Sequence, residues 1–178
     1  MEQDETTNYF WYITKHRMTS HYLPKFIRCL ESLSNEQIWT CGINEINSIG
    51  GIILHVIEHV KRNVSRLLHS EQVFAKGIEN HFPIMEQDKQ LLIAKLDAAF
   101  QELRVGMEAS AGEEIEIYNW YHLVEHTGYH LGQIVDRAQR MTGIQYQFVQ
   151  NGISEKALKI LVDDDRVNDI PPIDHGRP

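Results

Sequence analysis

The chain is poor in cysteine, in basic charge and in long apolar runs, and each shortage excludes a class of protein. Only Cys29 and Cys41 occur among 178 residues. Two thiols so far apart make neither a zinc-cluster motif nor a disulfide framework. They suit a reducing compartment, where both are expected to be structural. Basic residues number 17 against 25 acidic ones, for a formal net charge of -8. The longest basic cluster is Lys61-Arg62 with Arg66, which forms no stripe of the kind that neutralises a phosphate backbone. No nucleic-acid partner is expected. The most apolar run, Ile52-Ile53-Leu54, is far shorter than the ~20 residues that a membrane span requires. The acidic start Met1-Glu2-Gln3-Asp4-Glu5 is unlike a secretory signal. Neither a membrane partner nor export is expected, so the reading is cytoplasmic. Period-two alternation, low-complexity tracts and fixed repeats are also missing, which argues against a sheet or a solenoid.

The chain is rich in helical periodicity. The first stretch runs from Thr7 to Leu33, with Phe10, Ile13, Met18, Tyr22, Phe26 and Leu30 on its apolar side. Pro24 is expected to kink or break it. Ser34 to Gln37 reads as a loop or a short turn of helix. The second stretch spans Ser48 to His69, capped by Asn47 or Ser48, with Ile52, Val56, Val60, Val64 and Leu67 at spacings of three and four. A loop holding Gly77 and Pro83 leads to a third helix from Glu86 to Glu108. The segment from Ala109 to Glu114 reads as a turn. The fourth helix runs from Tyr118 to Met141 and stops at Gly143. Ser154 to Val162 predicts a short extra helix, and Asp163 to Pro178 an acidic, proline-containing tail. Four long amphipathic helices joined by polar loops bury their stripes against one another as a bundle. The expected organisation is an all-α four-helix bundle over residues 1–152, followed by the short helix and tail over residues 153–178.

Ten histidines are present, and their placement is informative. His55 and His59 lie on the second helix, and His122, His126 and His130 on the fourth, each neighbouring pair four residues apart. Residues so spaced differ by about 40° around a helix, so their imidazoles climb one face. Two imidazoles one turn apart can share a metal ion, with a third ligand, His55 or His59, from the second helix. A solvated edge in a histidine-rich chain shows the same spacing.

The segment Gly50-Gly51-Ile52-Ile53-Leu54-His55, together with His126-Thr127-Gly128-Tyr129-His130-Leu131-Gly132-Gln133-Ile134, resembles the DinB-like (DinB/YfiT-like) superfamily. The resemblance covers the helix order and lengths up to about Gly143. It implies an up-down-down-up four-helix bundle, a homodimer, and a nickel or zinc ion on His55, His126 and His130. His59 and His122 are then alternative ligands or supports for the ligands. Leu131 stands where many members carry Arg, and the tail is longer and more acidic than is usual there.

Members with assigned activities are mostly transferases that use a low-molecular-weight thiol. The function so implied is divalent-metal-dependent S-transfer from a small thiol to a small electrophile. Two alternatives stand beside it, a metal-dependent hydrolase and a non-enzymatic metal-binding or interaction protein. Glu58, about 60° from His55 around the helix, is the candidate base for hydrolysis. Gln133 and Arg137, with Arg62, are the candidates for a cosubstrate pocket.

Overall fold

The computed structural model describes residues 5–41, 47–70, 72–83, 88–110 and 116–168. Every regular element among them is helical: α1 (Glu5–His16), a π-helical segment (Arg17–Tyr22), α2 (Leu23–Ser32), α3 (Asn35–Trp39), α4 (Ile49–Leu67), a 3-10 turn (Ile78–Asn80), α5 (Lys89–Ala109), α6 (Ile117–Thr142) and α7 (Glu155–Asn168). The all-helical reading holds for these residues, and the long helices pack as a bundle.

The first helix does not break at Pro24. His16 and Leu23, which flank the π-helical segment, both keep helical dihedrals, so α1 and α2 are continuous through it. A π register pairs each N–H with the carbonyl five residues back. Leu23 N–H reaches the Met18 carbonyl in this way, and Pro24 falls in the first turn of α2, where its missing N–H costs little. The region after Leu33 holds one turn of helix, α3, closed by a capping box in which Ser34 and Gln37 satisfy each other's backbone N–H. Ser48 caps α4 by accepting from the Gly51 N–H at 3.0 Å. Gly143 ends α6 in the left-handed region, at φ 72°. Asp88 caps α5. The expected start of that helix at Glu86 lies outside the described residues, as do most of the turn after Ala109 and the tail from residue 169.

α4 packs against α5 and α6, and α2 packs against the same two helices. Between them lies a core that includes Phe26, Ile53, Val56, Leu96, Phe100 and Ile134, all fully buried. Trp11 and Trp120 meet edge to face at 5.0 Å, and the Trp11 indole N–H donates to the Met107 carbonyl at 3.1 Å. Gly50 permits one tight crossing. A Cβ there would fall 2.4 Å from the Trp39 ring, so only glycine lets α3 lie against the start of α4.

α7 is longer than the periodicity after Ser154 suggested. Residues 163–168, expected in the tail, continue the helix. Leu158 and Val162 are buried with Tyr12 of α1, while Lys15 and His16 pair with Asp165, and Arg166 with Glu5. Within the acidic run that looked like tail, Asp165 meets α1 and Asp163 pairs with Lys159 of α7 itself. No helix among the described residues is long and apolar enough to cross a membrane.

Candidate metal centre

α4 presents His55 and His59 to the face of α6 that carries His122, His126 and His130. One turn of α4 and two turns of α6 thus meet in a cluster of imidazoles. Ring centroids of His55, His126 and His130 lie 5.0, 4.5 and 4.9 Å apart, a nearly equilateral triangle. His59 sits beside it, 4.6 Å from His55 and 4.0 Å from His126. His55, His59 and His130 are buried and His126 is half-buried. His122 is exposed, 5.7 Å from His126 and 6.5 Å from His59, at the rim.

His55, His59 and His126 form a group able to hold a metal ion, since their ligand atoms lie within 4.8 Å of one another. A second triple overlaps it. The Nε2 atom of His126 lies 3.2 Å from Nε2 of His55 and 3.2 Å from Nε2 of His130. Metal–nitrogen bonds of 2.0–2.1 Å in a tetrahedral site put neighbouring nitrogens about 3.3–3.4 Å apart. The contacts of the far nitrogens make this spacing meaningful. Nδ1 of His55 faces the His81 carbonyl oxygen at 3.1 Å, and Nδ1 of His130 faces Oε1 of Gln133 at 2.9 Å. Both oxygens only accept, so each Nδ1 carries the hydrogen and each Nε2 is left with its lone pair. His126 Nε2 cannot donate to both lone pairs at once. A cation shared between His126 Nε2 and its neighbours relieves that conflict.

Burial makes a proton a poor choice for that cation. Desolvation, helped by the neighbouring imidazoles, lowers both His59 and His126 from 6.5 to about 3. His59 and His126 are therefore neutral at physiological pH, the form in which imidazole binds metal. His59 Nε2 and His126 Nδ1 are buried without a hydrogen-bond partner, a cost that native interiors rarely leave uncompensated. Donor chemistry and spacing fit a divalent ion, and the orphaned His59 Nε2 is a ligand atom for the triple of His55, His59 and His126.

The supports of His55 come from a stretch that the periodicity treated as loop. His81 supplies the carbonyl, and Phe82 stacks on the imidazole at 4.3 Å with planes 22° apart. Gly51, one turn before His55, makes room for this segment, since a Cβ there would meet the Pro83 carbonyl at 3.2 Å. The Gly50-Gly51 pair was visible in the sequence. The loop carbonyl has no side-chain signature and could not be.

The other candidates lie as follows. Glu58 accepts from Arg62 Nε at 3.1 Å and Nη2 at 2.5 Å, and Arg62 also donates to the Ala75 carbonyl and lies over the Phe74 ring. Gln133, besides holding His130, donates to the Tyr129 hydroxyl at 3.1 Å. Arg137 donates to the Asn47 carbonyl, next to the cap of α4. A cavity of about 610 Å³ between α4 and α5, lined by Val64, Leu68 and Val105 among others, does not include the histidines. Among the described residues the group of converging metal-ligand atoms lies at the histidines and not in this cavity. Compared with protein-family models, curated proteins and solved structures, the chain matches none.

Proposed function

We propose that the chain is a divalent-metal protein of the DinB-like type. In this reading it is an up-down-down-up four-helix bundle that holds nickel or zinc on His55, His126 and His130 and transfers a low-molecular-weight thiol to a small electrophile. One observation carries the ligand set. Two Nε2 lone pairs, fixed by the His81 carbonyl and Gln133 Oε1, each lie 3.2 Å from His126 Nε2.

Imidazole ligands suit zinc and nickel. Three neutral ligands leave the ion's double charge undiminished, and the chemistry it supplies at an open position is Lewis acidity, which lowers the pKa of a thiol or of water. The protein's own part is orientation and exclusion of water. The His81 carbonyl and Gln133 hold the two rings, and Phe82 covers His55. Glu58, which water activation would use as base, is engaged with Arg62 instead, and this favours thiol transfer over hydrolysis.

The test compares His126→Ala with His122→Ala in metal-loaded protein, reading metal content and conjugation of a panel of small thiols to a chromogenic electrophile. Metal and activity should vanish together in His126→Ala and persist in His122→Ala. Thiol transfer that continues in metal-free His126→Ala overturns the mechanism, and metal-loaded wild type that turns over no thiol overturns the transferase reading.

A further inference from the structure

A second group of chemically committed side chains lies where the π-helical segment meets the start of α7, and the histidine site uses none of them. Arg17 donates from Nη1 and Nη2 to the two carboxylate oxygens of Glu155, at 2.5 and 2.9 Å. His21 is 4% exposed. Its Nε2 lies 3.2 Å from Glu155 Oε1 and 2.7 Å from Lys25 Nζ.

One imidazole nitrogen cannot serve both neighbours. With its lone pair accepting from the Lys25 ammonium, it turns that lone pair on a carboxylate oxygen. With a hydrogen donated to Glu155, it leaves Lys25 without an acceptor. Burial first, and Lys25 second, hold His21 down at about 4, so the ring is neutral at physiological pH. Lys25 has no carboxylate within ion-pairing distance among the described residues. Its other neighbour is the Phe148 ring, 5.5 Å away. Arg17 and Lys25 thus bring two positive charges against the one negative charge of Glu155.

His21, Lys25 and Glu155 line a cavity of about 440 Å³ whose other walls include Tyr146, Phe148 and Ile153. That volume is within the range of small-molecule sites. The Tyr146 and Phe148 rings stack at 5.2 Å with planes 17° apart, a rigid aromatic wall beside an ammonium.

We propose that this cavity is a ligand site of its own, taking a small aromatic monocarboxylate. The carboxylate accepts from Lys25 Nζ, and the ring lies against Phe148 and Tyr146. A single negative charge matches the uncompensated cation, whereas a phosphate dianion would meet Glu155. Once Lys25 turns to the ligand, His21 Nε2 is free to donate to Glu155, and the conflict over that nitrogen is resolved.

The probe is benzoate, titrated into the full chain by calorimetry beside benzyl alcohol and inorganic phosphate. Benzoate should bind saturably and the other two should not. Removing a charge-assisted hydrogen bond in Lys25→Met should weaken benzoate about ten-fold or more. Glu155→Gln should tighten it. The Glu155 side chain is 69% exposed, so this second variant decides the matter even where Lys25→Met fails to fold. No benzoate binding, equal binding of benzyl alcohol or phosphate, or weaker binding by Glu155→Gln overturns the proposal.

Discussion

Gln133 Oε1 lies 2.9 Å from Nδ1 of His130, three residues earlier on the same helix. The bond fixes the hydrogen of His130 on Nδ1 and aims its Nε2 lone pair at His126. Support of this kind for a metal-binding histidine is worth about 10–100-fold in metal affinity. Gln133→Ala is expected to lose about that much while keeping its helix content. Gln133→Glu, which retains an acceptor, is expected to lose far less. Competition against a chromogenic chelator measures both, and wild-type affinity in Gln133→Ala would contradict the role given to this residue.

Gly50 and Gly132 should respond to alanine in opposite directions. Both are helical, and alanine in a helix is favoured over glycine by about 1 kcal/mol. A Cβ on Gly132 meets nothing within 4 Å, so Gly132→Ala should stabilise by about that amount. At Gly50 the new carbon would overlap the Trp39 ring at 2.4–2.7 Å. Overpacking of this kind costs about 1–3 kcal/mol and should outweigh the helical gain. Urea midpoints measure the two effects, and tryptophan fluorescence should report a displaced Trp39 in Gly50→Ala alone. Stabilisation by both substitutions would contradict the tight α3–α4 crossing.

Acid should destabilise the metal-free protein earlier than its carboxylates require. His21 is held at about 4, and His59 and His126 at about 3, against an ordinary value of 6.5, burial being the leading cause in each. Below pH 6.5 the unfolded chain takes up protons at these positions and the folded chain does not, so stability is full above 6.5 and falls as pH falls toward 3–4. Each group can contribute up to about 1.4 kcal/mol per pH unit, less where His126 is partly solvated. Chemical denaturation should therefore show stability falling between pH 6.5 and 5. A flat profile over that window would contradict the burial of neutral His21, His59 and His126.

The helices were legible in the sequence because their apolar residues recur at three and four, and because Ser48 and Gly143 mark boundaries that local chemistry fixes. The histidine faces were legible for the same reason, since i, i+4 spacing on α4 and α6 needs only helix geometry. Three features were not legible. The π segment just ahead of Pro24, through which the first helix stays continuous, depends on packing around it. The helical state of residues 163–168 depends on cations of α1 that lie far away in sequence. The His81 carbonyl and Phe82 reach His55 through a loop whose course no periodicity encodes. Spacing also could not choose between His59 and His130, because both lie one turn from a partner that is itself a candidate.

The two overlapping triples share His55 and His126 and differ only in that last pair, so the most direct test is elemental analysis of His130→Ala and His59→Ala, loaded with zinc beside the wild type. The wild type should hold about one ion per chain. Convergence of Nε2 atoms on His126 predicts that His130→Ala loses the ion and His59→Ala keeps it. Loss in His59→Ala with retention in His130→Ala would assign the ion to His55, His59 and His126, and contradict the ligand set proposed.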